Sequence, residues 1–126
     1  MSEKKTILII DDEQDVRTFL ASLLEDNGFA TLTAENGAEG VKMAREQSPD
    51  LVTLDITMPE QSGVKSYRQL KDDADLAKIP VIIITAVGEP MEHFLKTRKQ
   101  VPNPEGFMAK PIDQEKLLQM IADLLP

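Results

Sequence analysis

Charged and hydroxyl side chains follow four short apolar runs of the chain. The runs are ILII at 7–10, LVTL at 51–54, VIII at 81–84 and GFMA at 106–109, and the residues directly after them are Asp11, Asp12, Glu13, Asp55, Thr85 and Lys110. Carboxylates gathered at one place raise one another's pKa unless a cation lies among them. The chain has no cysteine and one histidine, so oxygen ligation of Mg²⁺ by carboxylates, water and a phosphate fits this set best.

The same residue types predict phosphoryl transfer. An aspartate can attack phosphorus and form an aspartyl phosphate. Lys110 offers a positive charge to a phosphoryl oxygen and Thr85 offers a hydroxyl. Phosphoryl transfer asks little of a protein beyond positioning and charge neutralisation, and this set supplies both. Each residue alone has a common structural explanation, such as a helix cap for the acidic pair. The prediction therefore depends on the joint placement of these residues at four predicted strand ends.

Strands and helices that would position these residues alternate along the chain. Strands are predicted at Ile7–Ile10, Ala30–Thr33, Leu51–Leu54, Val81–Thr85 and Gly106–Ala109. Helices are predicted up to Asn27–Gly28, at Gly37–Gln47 with Asn36 as its cap, at about Ser62–Asp72, at roughly Pro90–Lys99 and at about Asp113–Leu125. The strands are continuously apolar, as strands buried on both faces must be. The helices carry apolar stripes, and that of the first is Val16, Phe19, Leu20, Leu23 and Leu24.

Five strand–helix units predict an α/β fold, a doubly wound (βα)5 parallel sheet with helices on both faces. Ligands of such sheets bind beyond the carboxyl ends of the strands. The six residues named above fall at those ends. The sequence therefore predicts a single site at one edge of the sheet.

Composition limits the classes of protein that fit. A chain of 126 residues is one ordinary domain, which we expect to span residues 1–126 with no output domain. The net charge of −8, from 14 basic and 22 acidic residues, disfavours direct binding of nucleic acid. The apolar runs are too short to span a bilayer, and the first residues lack the features of a signal peptide. We therefore expect a cytoplasmic protein without membrane insertion.

Four stretches together resemble the receiver domain of bacterial two-component response regulators. They are ILIIDDEQDVR at Ile7–Arg17, DLVTLDITMPEQSG at Asp50–Gly63, IPVIIITA at Ile79–Ala86 and GFMAKPI at Gly106–Ile112. Any one of them would be a weak signal, but the resemblance extends over essentially the whole chain. It implies a single-domain regulator similar to the chemotaxis regulators, with a flavodoxin-like fold and strand order 2-1-3-4-5.

The resemblance also assigns roles to individual residues. It implies that Asp55 accepts a phosphoryl group from the phosphohistidine of a histidine kinase or a histidine phosphotransfer protein. Mg²⁺ would be held by Asp11, Asp12, Asp55 and the backbone carbonyl of Thr57, and Lys110 would bind phosphoryl oxygens. The protein would be a phosphoacceptor that assists its own phosphorylation and dephosphorylation, and not an enzyme in the usual sense.

Further residues would carry the signal. Thr85 would bind the phosphoryl group and swing inward, and Phe107 would follow it from an exposed to a buried position. Lys110–Pro111 would be a cis peptide, which an arbitrary X–Pro bond adopts in only about 5–6% of cases. Pro59 and Gly63 would match the loop after the phosphoacceptor. The change would be presented to an unknown downstream protein, or to a second copy in a dimer, on the face built by the fourth helix, last strand and fifth helix.

One departure from the family pattern concerns that face. The stretch between Thr85 and Lys110 is a few residues longer than we expect and carries a loop with Pro102 and Pro104. The phosphorylation residues are all kept. The departure therefore bears on the output face and on any dimer, and not on the chemistry.

Two other classes of protein stay open at this point. Phosphatases with an aspartate nucleophile typically carry two aspartates two residues apart after the first strand, whereas Asp11 and Asp12 are adjacent and Thr57 lies two residues after Asp55. A binding module that works without phosphorylation usually lacks one of the acids, the lysine or the threonine, and all are present. For a regulator, the sequence does not separate a phosphorelay shuttle from direct regulation by contact.

Overall fold

Five parallel strands form one sheet in the computed structural model, which describes residues 4–56, 62–85 and 105–125 and, for residues 62–64 and 85, the backbone only. The strands are β1 (Thr6–Ile10), β2 (Ala30–Ala34), β3 (Leu51–Asp55), β4 (Val81–Thr85) and β5 (Gly106–Ala109). Their order is β2-β1-β3-β4-β5. The predicted fold class and strand order are therefore confirmed.

Four helices lie within the described residues: α1 (Gln14–Asp26), α2 (Gly37–Gln47), α3 (Ser62–Asp72) and α4 (Gln114–Leu124). The Asn36 side chain accepts a 2.8 Å hydrogen bond from the Glu39 amide, so it caps α2 as predicted. Asp113 caps α4 in the same way. Helix α4 corresponds to the fifth predicted helix. The fourth predicted helix, at Pro90–Lys99, lies outside the described residues, as does the loop with Pro102 and Pro104.

The core consists of one layer on each face of the sheet. Successive residues of β1 point to opposite faces, so Leu8 and Ile10 pack in one layer and Ile7 and Ile9 in the other. Helices α2 and α3 cover the first layer through Val41, Ala44, Tyr67 and Leu70. Helices α1 and α4 cover the second layer through Leu20, Leu24, Leu117 and Ile121. Because both faces are covered, the residues of β3 and those at 7–10 of β1 are all buried, including Thr53 in β3.

Phe19 corrects one detail of the predicted core. The sequence pattern puts it on the apolar stripe of α1, but the residue is 39% exposed. Leu20 and Leu24 are the buried residues of this helix and define the centre of its inner face. At 3.6 residues per turn, Phe19 lies about 120° from that centre. The apolar residues of the i, i+3, i+4 pattern therefore extend over a wider part of the helix surface than the part that the sheet covers.

An ion pair between the buried Lys71 and the exposed Glu105 connects three segments at the amino ends of β4 and β5. The Lys71 side chain is 2% exposed and its ammonium lies 3.0 Å from Glu105 Oε1. It also donates to the carbonyl oxygens of Ala77 and Ile79, each at 3.2 Å. Glu105 Oε1 in turn accepts a 2.7 Å hydrogen bond from the Val81 amide. This cluster fixes the end of α3 and the starts of β4 and β5 relative to one another.

Strand register determines where the site lies. Ile10 pairs with Leu54, Asp55 with Ile84, and Thr85 with Ala109. The residues that end or directly follow β1, β3, β4 and β5 are consequently brought to the same edge of the sheet. None of the helices in the described ranges has the length and hydrophobicity that crossing a lipid bilayer requires.

Candidate phosphoacceptor site

Three aspartates lie together at the carboxyl edge of the sheet. Asp55 is the last residue of β3 and Asp11 directly follows β1, and each is 2% exposed, whereas Asp12 is exposed. Carboxylate oxygens of the three residues all lie within 4.8 Å of one another. The structure thus brings together the acids that the sequence predicted to converge.

Lys110 supplies a positive charge to this cluster. Its ammonium lies 3.3 Å from Asp11 Oδ2, 3.3 Å from Asp55 Oδ2 and 3.5 Å from Glu13 Oε2. Lys110 follows β5 directly, and its peptide bond to Pro111 is cis, the isomer that the resemblance implies. One ammonium group is therefore shared by three carboxylates from two segments of the chain.

The ionisation of the site reflects burial first and the neighbouring charges second. Burial raises the pKa of Asp11, and the neighbouring Asp55 carboxylate raises it further. The Glu13 amide and the Lys110 ammonium oppose this rise without cancelling it. For Lys110, burial alone would lower the pKa, but Asp55 and Asp11 outweigh burial and the pKa is raised. Lys110 is therefore protonated at neutral pH, and the cluster retains an excess of negative charge.

The backbone around Asp11 is fixed by three hydrogen bonds. The Asp11 amide donates to the Ala34 carbonyl at 3.1 Å. The Glu13 amide donates to Asp11 Oδ1 at 2.9 Å, and the Arg17 guanidinium donates to the Asp11 carbonyl at 2.7 Å. Neither Glu13 nor Arg17 was assigned a role from the sequence. Their spacing in the sequence could have indicated such a role. Arg17 follows Glu13 by four residues at the start of a helix, so the two side chains lie on the same side of the first turn, near the site.

The remaining predicted site residues are described unevenly. The backbone of Thr85 ends β4 at the site edge, where it pairs with Ala109. Phe107 is half-buried and packs against the core layer beneath α2 and α3. Gly63, which the resemblance places in the loop after Asp55, is the second residue of α3. Thr57 and Pro59 lie outside the described residues.

Comparison with known proteins assigns the family. Residues 7–122 match the model of the response regulator receiver domain. This chain belongs to the response regulator receiver family. Protein PilH of Pseudomonas aeruginosa is 39% identical over 119 residues, which are 94% of this chain and 96% of PilH. The polar-differentiation response regulator DivK of Brucella anthropi is 33% identical over 121 residues, or 96% of each chain.

A solved receiver structure shares the fold. The receiver domain of the sensor histidine kinase PA1611 from P. aeruginosa, solved with a magnesium ion coordinated in its active-site cleft, superposes with a TM-score of 0.83. It is 20% identical in sequence and the match covers 97% of this chain and 98% of that domain. The strand order and the covering helices described above are therefore those of a receiver domain.

Proposed function

We propose that this receiver is a stand-alone response regulator whose Asp55 accepts a phosphoryl group from a histidine kinase or a histidine phosphotransfer protein. The observation that carries the proposal is the position of Lys110, 3.3 Å from both Asp11 and Asp55 at the carboxyl edge of the sheet. This arrangement joins a buried carboxylate nucleophile to a cation that can meet phosphoryl oxygens.

The donor set at this edge fits Mg²⁺. Asp11, Asp12 and Asp55 offer oxygen ligands within 4.8 Å of one another, and a hard cation prefers such ligands. Within this cluster Lys110 is one ammonium group shared by Asp11, Glu13 and Asp55, so a second cation has carboxylates left to bind. We assign the ion to the three aspartates and to the backbone carbonyl of Thr57. When bound, Mg²⁺ would neutralise charge on the phosphoryl oxygens during transfer.

The chain's own residues would then perform the transfer. An Oδ atom of Asp55 attacks phosphorus, a new O–P bond forms, and the P–N bond to the donor imidazole breaks with its electron pair left on nitrogen. Lys110 stabilises the phosphoryl oxygens as charge is redistributed. Because Asp55 is 2% exposed and fixed at the end of β3, the attacking oxygen needs little reorganisation.

The signal would pass along β4 and β5. Phosphorylation adds charge and acceptor oxygens, which Lys110 and the Thr85 hydroxyl can bind. Phe107, half-buried in β5, would follow Thr85 to a buried position. Phosphorylation would thereby favour one of two existing conformations. The two conformations would differ on the surface formed by the segment after Thr85, β5 and α4, where a downstream protein or a second copy would bind.

Several features support a stand-alone regulator. The matches extend over 96% of the lengths of PilH and DivK. The net charge of −8 favours protein partners over nucleic acid. We place the protein in the cytoplasm, where a kinase phosphohistidine would be accessible, and regard it as a phosphoacceptor that assists its own phosphorylation and dephosphorylation.

Intact mass measurement tests this proposal. The protein is incubated with Mg²⁺ and an acyl phosphate, beside Asp55→Asn, a metal-free sample and Asp26→Asn as a control at an exposed acid. We expect a gain of one phosphoryl group in the wild type and in Asp26→Asn, and none in Asp55→Asn or without metal. The absence of labelling under conditions that label another receiver would contradict the proposal and favour a binding module that works without phosphorylation.

A further inference from the structure

The Glu13 carboxylate lies beside Lys110 instead of capping its own helix. Glu13 occupies the N-cap position of α1, where short polar side chains usually accept a backbone hydrogen bond, but its side chain makes no such bond. Its Oε2 atom lies 3.5 Å from the Lys110 ammonium. The side chain of Glu13 is 62% exposed, whereas those of Asp11 and Asp55 are 2% exposed. Glu13 therefore contacts Lys110 from the solvent side.

The position of this carboxylate follows from the backbone around it. The Glu13 amide donates to Asp11 Oδ1 at 2.9 Å, and the Glu13 carbonyl accepts from the Arg17 amide at 3.1 Å. The residue is thus fixed on both sides, by the buried acid before it and by the first turn of α1 after it. Its side chain leaves the backbone at a set place near the mouth of the site.

A carboxylate at this place opposes the arrival of an anion. A phosphoryl donor that reaches Asp55 must bring its negative oxygens to Lys110, which Glu13 contacts from the solvent side within the described part of the chain. The repulsion matters most for a small donor that carries two negative charges, since such a donor has no interface with the protein outside the phosphoryl site to offset it. A donor residue on a docked partner has the binding free energy of the whole interface to offset the repulsion.

We propose that Glu13 is a specificity-determining residue for the phosphoryl donor, which disfavours small, free, doubly negative donors. The inference rests on the proposed role of Asp55 and adds no chemical step. With acetyl phosphate, the Asp55 O–P bond forms, the P–O bond to the acetyl group breaks, and acetate leaves with the electron pair. Glu13 alters only how readily the anionic donor comes within reach.

The test compares Glu13→Gln with the wild type in two reactions. Labelling rates are measured against donor concentration at saturating Mg²⁺, with acetyl phosphate and with phosphoimidazole, whose ring can carry a proton and offset part of its charge. We expect the second-order rate constant for acetyl phosphate to rise on the order of 2–5-fold, through a lower half-saturating concentration. The rise should be smaller for phosphoimidazole, and it should shrink in high salt because exposed charges are screened.

Asp15→Asn is the matched control. Asp15 is an exposed acid in the first turn of α1, and its replacement changes the net charge equally without touching Lys110. We expect its rate constants to match those of the wild type. An equal rise in Asp15→Asn, equal gains for both donors, or an unchanged or lower rate in Glu13→Gln would overturn the inference. A wild type that is not labelled at all would instead contradict the proposed function.

Discussion

Lys71 and Glu105, which are 34 residues apart in sequence, form an ion pair of 3.0 Å at the sheet edge opposite Asp55. The ammonium has four oxygen atoms within 3.2 Å, two from Glu105 and one each from the Ala77 and Ile79 carbonyls. Buried charges are tolerated only when they are paired and hydrogen-bonded in this way. Each edge of the sheet therefore has a lysine held by several oxygen atoms, and we assign the Lys71 cluster a role in stability.

Replacing Lys71 should destabilise the fold. Lys71→Met leaves the Ala77 and Ile79 carbonyls without their donor and removes the cationic partner of Glu105. We expect the free energy of unfolding to fall by about 2–4 kcal/mol, measured by urea denaturation. Lys42→Met, at an exposed position of α2, should change it by less than about 0.5 kcal/mol. Equal stabilities of the two variants would contradict the importance assigned to the cluster.

Magnesium should stabilise the folded protein. A ligand that binds only the folded state at ten times its Kd raises the free energy of unfolding by about 1.4 kcal/mol. We expect such a rise in the wild type on titration with MgCl₂ and a much smaller one in Asp12→Ala, followed by thermal unfolding at constant ionic strength. Asp26→Asn, with an exposed acid changed far from the cluster, should respond as the wild type does. A response that survives Asp12→Ala would place the ion elsewhere.

Asp11 should lower stability as it ionises. Its raised pKa means that the folded protein binds this proton more tightly than the unfolded chain, for which the ordinary value is 3.8. Stability should therefore fall as pH rises from about 3.8 to the raised pKa. In metal-free buffer, the stability of Asp11→Asn relative to wild type should increase over that interval and then level off. A difference that stays constant with pH would refute this explanation.

Replacing Thr53 by valine should stabilise the protein. Thr53 is 1% exposed in β3, and its hydroxyl has no hydrogen-bond partner among the described residues. Valine has the same branched shape and removes an unsatisfied polar atom, so Thr53→Val should raise the free energy of unfolding by about 1 kcal/mol. Thr33→Val, at an exposed position of β2, provides the matched comparison by urea denaturation. A loss of stability in Thr53→Val would indicate a partner for the hydroxyl.

The parts of the fold that follow from local patterns were predicted from the sequence. Strands β4 and β5 and helices α2 and α3 have the predicted bounds, because continuous apolar runs and helical stripes are local signals. Asp11, Asp55 and Lys110 could be placed together because the ends of parallel strands must meet at one edge. Lys71 and Glu105 could not, since a lysine in a helix and a glutamate before a strand carry no pattern that indicates their contact.

The contacts of individual side chains were also beyond the sequence. Glu13 was recognised as part of an acidic run, but its approach to Lys110 depends on how the loop after β1 is fixed by Asp11 and Arg17. The exposure of Phe19 depends on the angle at which α1 lies on the sheet. Both depend on how the elements pack together. A periodic pattern indicates which side of a helix is buried, but not which residue at the border of that side is exposed.

The contact between Lys110 and Asp55 joins residues 55 positions apart, with consequences for synthesis. A ribosome produces all three aspartates well before the lysine that compensates them. A chain stopped before β5 would hold its carboxylates at the sheet edge without that ammonium and would lack the strand that pairs with β4. The complete charge arrangement therefore arises only once Lys110 has left the exit tunnel, so products truncated before β5 would neither fold as stably nor present a competent phosphoryl acceptor.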